Sequence, residues 1–237
     1  MIGHYGATVF NIPIIDLVAL LWFFVFWAGY NLFAERRGGK RHSLVVAMRR
    51  FRREWFSHML TRENRIGDIA ALNNLFTNAT FFASTSILIL GGLVALLGTT
   101  DRVMDVVSEL PFASKESELV WRIKIILLIL VFVYAFFKFT WSQRQFNFCT
   151  ILVGAAPPPT QQPEQHVTYI DMITNVASFA AENLNEGLRA YYFSMAVLAW
   201  FLHSWLIFPA TALVVYILYQ REFHSRTLYA LRSFQEK

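Results

Sequence analysis

The sequence predicts an all-α membrane protein, a polytopic bundle of five transmembrane helices (four being the alternative) with added cytoplasmic amphipathic helices. Three observations predict it. The 237 residues are 56% hydrophobic and 16% aromatic, yet only 16% are charged, against the usual quarter in soluble chains. Several uncharged apolar runs reach the roughly 20 residues that cross a bilayer. The net charge of +5 is also concentrated: ten of the 21 lysines and arginines fall between Arg36 and Arg65. Such a cluster reads as the positive-inside signal of a cytoplasmic loop, in preference to a nucleic-acid surface. The single cysteine, Cys149, excludes an intrachain disulfide and a thiolate metal cluster within one chain.

The first span is expected over residues 12–34. The eleven residues before it carry no lysine or arginine and no signal-peptide pattern, so the run is read as a retained helix with its N-terminus outside. Asp16, near the outer boundary, reads as an interfacial cap. Over residues 43–60 the apolar side chains Leu44, Met48, Phe51, Trp55 and Met59 share one helical face, flanked by Arg49, Arg50, Arg52 and Arg53. A helix of this kind lies in the headgroup layer, with its arginines on anionic lipid phosphates.

The second span, 73–98, is long, uncharged and not uniformly apolar. Asn73, Thr77, Thr80 and Ser84, then Gly91, Ala95 and Gly98, follow one helical face, with Asn74, Asn78 and Gly92 beside it. In lipid, small residues and interhelical hydrogen bonds mark where another helix sits. The span is therefore expected at the centre of the bundle, its stripe serving as a packing seam or, alternatively, as a polar path. An acidic-leaning outer loop follows over 99–118, with Asp101, Asp105, Glu109, Glu116 and Glu118.

Trp121 and Trp141 bracket the third span, 119–141, and Lys138 is expected to snorkel to the interface. Prolines at 157–159 mark a linker over 157–165. A helix over 168–203 should run from the cytoplasm into the fourth span, and the fifth should cover 205–221. Arg189, at the inner mouth, is expected to pair with Glu182 or Glu186 as a structural anchor. Five crossings place the tail, with Arg221, Arg226, Arg232 and Lys237, in the cytoplasm.

No reaction is spelled out. The six histidines lack helical ligand spacing, and no P-loop, dinucleotide fingerprint, nucleophile elbow or HExxH motif occurs. No cofactor, metal or catalytic residue is therefore assigned. The favoured reading is a non-enzymatic scaffold or accessory subunit of the inner (cytoplasmic) membrane. It would contact anionic lipid headgroups and either its own copies or a partner membrane protein. A small channel or transporter using the polar face of the second span is the alternative.

The motifs also carry a resemblance. Trp55-Phe56-Ser57-x-Met59, Glu63-Asn64, and Asn74 leading into Ala83-Ser84-Thr85-Ser86-Ile87-Leu88 and Gly92 come first. Phe146-Asn147, Gly187-x-Arg189-x2-Tyr192-Phe193, Trp200 and Leu218-Tyr219-x3-Phe223 follow. Together, from about Gly29 to Phe223, they resemble the multipass membrane family catalogued as domain of unknown function 599. The sequence departs at His203-Ser204, where a Gly-Pro-like turn is expected. The resemblance implies a membrane helix bundle and no particular activity.

Overall fold

The computed structural model describes residues 8–9, 12–38, 43–100, 104, 117–158 and 163–235. The acidic loop expected over 99–118 lies outside these residues except at Thr99, Thr100, Met104, Ser117 and Glu118, and so do residues 159–162 of the linker. A two-residue antiparallel ladder, β1 (Thr8–Val9) on β2 (Ile12–Pro13), precedes α1 (Ile14–Gly38). There follow α2 (Leu44–Thr61), α3 (Ile66–Gly98), α4 (Glu118–Gly154) and α5 (Pro163–Leu202). A 3-10 turn at Ser204–Leu206 leads to α6 (Ile207–Phe223) and α7 (Arg226–Gln235).

The sequence sets the helix ends by satisfying free backbone groups. The Oγ atoms of Ser43 and Ser117 accept from the amides of Val46 and Val120, capping α2 and α4. At the far end of α4, the Arg65 guanidinium donates to the carbonyls of Ala156 at 2.9 Å and Pro157 at 2.8 Å, placing a cation where the helix dipole is negative. The break between α5 and α6 falls at His203, which turns extended while its Nδ1 accepts from the Trp205 amide at 3.2 Å. An imidazole cap thus supplies the turn that the family resemblance assigns to Gly-Pro.

Among the described residues, four segments are long and apolar enough to cross a membrane: Ile14–Ala34, Ile66–Gly98, Glu118–Gly154 and Ser204–Leu231. The C-terminal half of α5, the fourth of five crossings in the sequence reading, is not among them, but it lies in the core. Ala190, Phe193, Ala196, Val197 and Trp200 are buried there against α1, α4 and α6. At 33, 37 and 40 residues, α3, α4 and α5 run about 50 to 60 Å, well beyond the roughly 30 Å of a hydrocarbon layer. The surplus builds a second storey. One core joins α1, α6, the C-terminal halves of α3 and α5 and the N-terminal half of α4; another joins α2 to their other halves around Phe56, Met59, Leu72, Phe146 and Ile173.

The centre of the bundle is α4, where the sequence reading placed the second span. Half (50%) of the apolar window of α4 is buried, against 11% for α3. Two sevenfold rows explain this. Trp121, Leu128, Ala135, Ser142 and Cys149 form one, and Ile125, Phe132, Phe139, Phe146 and Val153 the other; all ten are buried. A seven-residue repeat keeps a seam facing its neighbour along a supercoil. With two such rows, α4 serves α3 on one side and α5 on the other. On α3 the facing row is Leu72, Ala79 and Ser86, with Ala83 beside it, not the Asn–Thr–Gly stripe.

Small residues let the three long helices close up. A Cβ at Gly187 of α5 would lie 2.5 Å from the ring of the fully buried Phe139. One turn outward, Tyr191 reaches across α4 to α3, where its hydroxyl meets Ser86 Oγ at 2.9 Å and donates to the Phe82 carbonyl at 3.2 Å. Phe82 stacks on Phe139 at 5.2 Å, and Tyr191 stands edge-on to Phe132 and Phe139.

Candidate functional site

Two features remain once the packing is accounted for: a bare helix face and a charged cavity. The bare face is the outward side of α3. Asn73, Asn74, Thr77, Asn78, Ser84, Gly91, Gly92, Ala95 and Gly98 are all exposed, and Thr80 is half-buried. Their hydroxyls and amides reach no other helix among the described residues. Thr80 donates back to the Phe76 carbonyl at 2.9 Å, the usual local solution for a hydroxyl inside a helix. A Cβ at Gly91 or Gly92 would meet nothing within 4 Å. The face that the sequence marks for helix contact is thus unoccupied by the described residues.

The cavity lies where the two storeys meet and encloses about 850 Å³. Leu44, Met48, Phe51 and Trp55 of α2 roof it, Leu75 and Phe82 of α3 close one side, and Leu188 and Leu218 floor it from α5 and α6. Into this apolar shell project Arg52, Glu182, Arg189, Arg221 and Glu222. Their pairing differs from the sequence expectation. Arg189 bonds Glu222 of α6 at 3.2 Å, both side chains only 11% exposed, and not Glu182 or Glu186. Glu222 also accepts from the Tyr30 hydroxyl at 3.3 Å, and the Arg189 guanidinium lies over the Tyr30 ring, so three helices share one ion pair. Glu186 pairs with Lys138 of α4, which turns inward instead of snorkelling. The helical spacing placed Arg189 beside two glutamates of its own helix; the partner contributed by α6 had no local signal.

Glu182 is left facing α2. Burial pushes its carboxyl above the usual range; Glu186 adds to this, while Arg49, Arg52 and Arg189 pull the other way. Burial likewise holds the Arg52 guanidinium below its ordinary value. A carboxyl raised by folding stabilises the fold while protonated and loses that contribution as pH climbs through the raised value. Thermal stability should therefore fall as pH is raised above the carboxylate range, and Glu182→Gln should flatten the fall. An unchanged slope in melts across that range would contradict this account of Glu182.

The arginines assigned to lipid headgroups are partly engaged by protein. Arg49 donates to Asn175 at 2.5 Å, Arg52 to Ser178 at 3.4 Å, and Arg53 pairs with Asp171 at 2.8 Å, tying α2 to α5. Arg50, on the same helix, is exposed. Phe56, Met59 and Leu60 are fully buried in the protein's second core. Part of the apolar side of α2 is therefore used on α3, α4 and α5.

At the opposite end two ionisable groups are buried, Lys124 and Asp16, the latter put at an interface by sequence reasoning. Asp16 accepts from Trp200 Nε1 at 2.9 Å and Ser204 Oγ at 2.5 Å, clamping α1 to the turn after α5. Lys124 is fully buried and donates to the Trp200 carbonyl at 2.9 Å, with its ammonium 5.1 Å from the same residue's indole.

No curated protein and no solved structure matches the chain. A family model does, over residues 18–227, and its description reads protein of unknown function, DUF599. The match takes in every helix from α1 to the start of α7, and with it the α3 face and the whole cavity lining. The chain belongs to that family.

Proposed function

We propose that this protein is a non-enzymatic membrane scaffold or accessory subunit that assembles with copies of itself through the outward face of α3. The observation that carries the reading is glycine placement. In a helix interior glycine costs about 1 kcal/mol relative to alanine. At Gly91 and Gly92 no contact among the described residues accounts for that cost. A second helix approaching closely along the small end would, and Asn73, Asn74, Thr77, Asn78 and Ser84 would supply hydrogen bonds along the polar end. The stripe carries no charge, and each asparagine both donates and accepts. Such a surface complements itself across a two-fold axis, whereas a charged partner finds nothing to pair with. We place the protein in the inner membrane with the α2 end in the cytoplasm, because Arg49, Arg50, Arg52, Arg53, Arg62 and Arg65 lie on or beside α2 and Arg221 and Arg226 at the end of α6 and the start of α7.

The test compares two variant sets by size-exclusion profile and by solute flux in proteoliposomes. Gly91→Leu and Gly92→Leu should split the assembly while leaving the monomer's melting unlowered or raised, because no described residue is displaced and the glycine cost is removed. Asn74→Ala and Asn78→Ala should weaken it only modestly, by about 0.6 kcal/mol per bond. Flux that disappears in the polar set with assembly intact would overturn the scaffold reading in favour of a channel or transporter.

A further inference from the structure

We propose that the cavity between α2, α5 and α6 is a site for one anionic phospholipid, its phosphate held by Arg52 and Arg221 and the start of an acyl chain lying along Met48 and Leu218. Charge is the first argument. Of the five ionisable groups in the lining, Arg189 and Glu222 neutralise each other. Among the described residues Arg52 bonds the Ser178 hydroxyl at 3.4 Å, and Arg221 bonds the Tyr192 hydroxyl while lying over its ring. A hydroxyl cancels no charge, and a guanidinium carries five N–H donors in a fork that suits phosphate oxygens. The lining's remaining carboxylate, Glu182, lies near Arg52, so two guanidinium charges stand against one carboxylate and the lining stays net positive.

The second argument is the split between head and wall. Apart from Ser178 and Asn185, the rest of the lining is leucine, valine, alanine, methionine and aromatic ring, drawn from α2, α3, α4, α5 and α6. A free phosphate would leave that surface empty, and a fatty chain without a charged head would leave the arginines unused. A molecule with both parts uses both. The third is depth. The cavity opens where the apolar core of the crossing helices gives way to the basic second storey, the level at which phospholipid heads meet their chains. The proposal uses a different surface from the α3 face, and bound lipid is counted per chain, so either can fail without the other.

The test is native mass spectrometry of the full chain, purified in a neutral detergent and offered phosphatidylglycerol and phosphatidylcholine in equal amounts. Wild type should retain one phosphatidylglycerol at least about tenfold over phosphatidylcholine, a difference of about 1.4 kcal/mol. The pair Arg52→Gln with Arg221→Gln should abolish that preference, and Arg36→Gln, outside the cavity, should keep it. Met48→Trp fills the apolar wall without touching a charge and should also expel the lipid, which keeps the test open should the double variant fail to fold. Equal retention of the two lipids by wild type would overturn the proposal. So would undiminished retention in Met48→Trp, or release of the bound lipid by added inorganic phosphate.

Discussion

Gly187→Ala should destabilise the protein, reversing the sign the substitution ordinarily has in a helix. Replacing an interior helical glycine by alanine normally stabilises by about 1 kcal/mol. Here the new methyl would sit 2.5 Å from Phe139 Cε1, and Phe139 is fully buried, stacked on Phe82 and edge-on to Tyr191. The ring has no free direction, so α4 and α5 must separate, at a cost of about 1–3 kcal/mol for overpacking. Gly187→Leu should be worse and prevent accumulation of folded protein. The combination Gly187→Ala with Phe139→Leu should recover most of the loss, because the smaller side chain vacates the collision. Melting in detergent reads all of these, and a higher Tm for Gly187→Ala alone would contradict the packing described.

Arg189→Met should have the largest electrostatic effect in the chain. It leaves Glu222 buried, with only the Tyr30 hydroxyl for company. Breaking one partner of a buried pair costs about 3–5 kcal/mol, whereas replacing both by apolar groups is often near neutral. Arg189→Met joined to Glu222→Leu should therefore be more stable than Arg189→Met alone by several kcal/mol. Additive losses in the double variant would show that the two charges act separately.

The class of the protein and its long helices were legible because hydropathy and charge clustering are strong, local signals. The bundle's centre was not. Every face of α4 is apolar, so its two sevenfold rows stand in no contrast to the rest of the helix, and the eye goes to the polar stripe of α3. That stripe was correctly seen as different, but within one chain it faces outward. The Arg189–Glu222 pair was hidden for another reason: its partners lie 33 residues apart on separate helices. Asp16 looked interfacial from its place near a helix start, and only the return of Trp200 and Ser204 to the same level buries it. The arginines of α2 had the composition of a headgroup binder. Three of them also find acceptors on α5, a contact that depends on how far the long helices extend beyond the apolar layer.

Self-association through α3 is tested most directly by cysteine cross-linking in native membranes. The only native cysteine, Cys149, is buried and can be replaced by serine to give a silent background. Single cysteines at Thr77, Ser84 and Gly91 lie along the bare stripe of α3; Leu130 of α4 and Leu213 of α6 are exposed controls on other surfaces. The account predicts a disulfide-linked dimer at all three α3 positions under mild oxidation, and monomer at Leu130 and Leu213. Dimer at the control positions with none on α3 would contradict it.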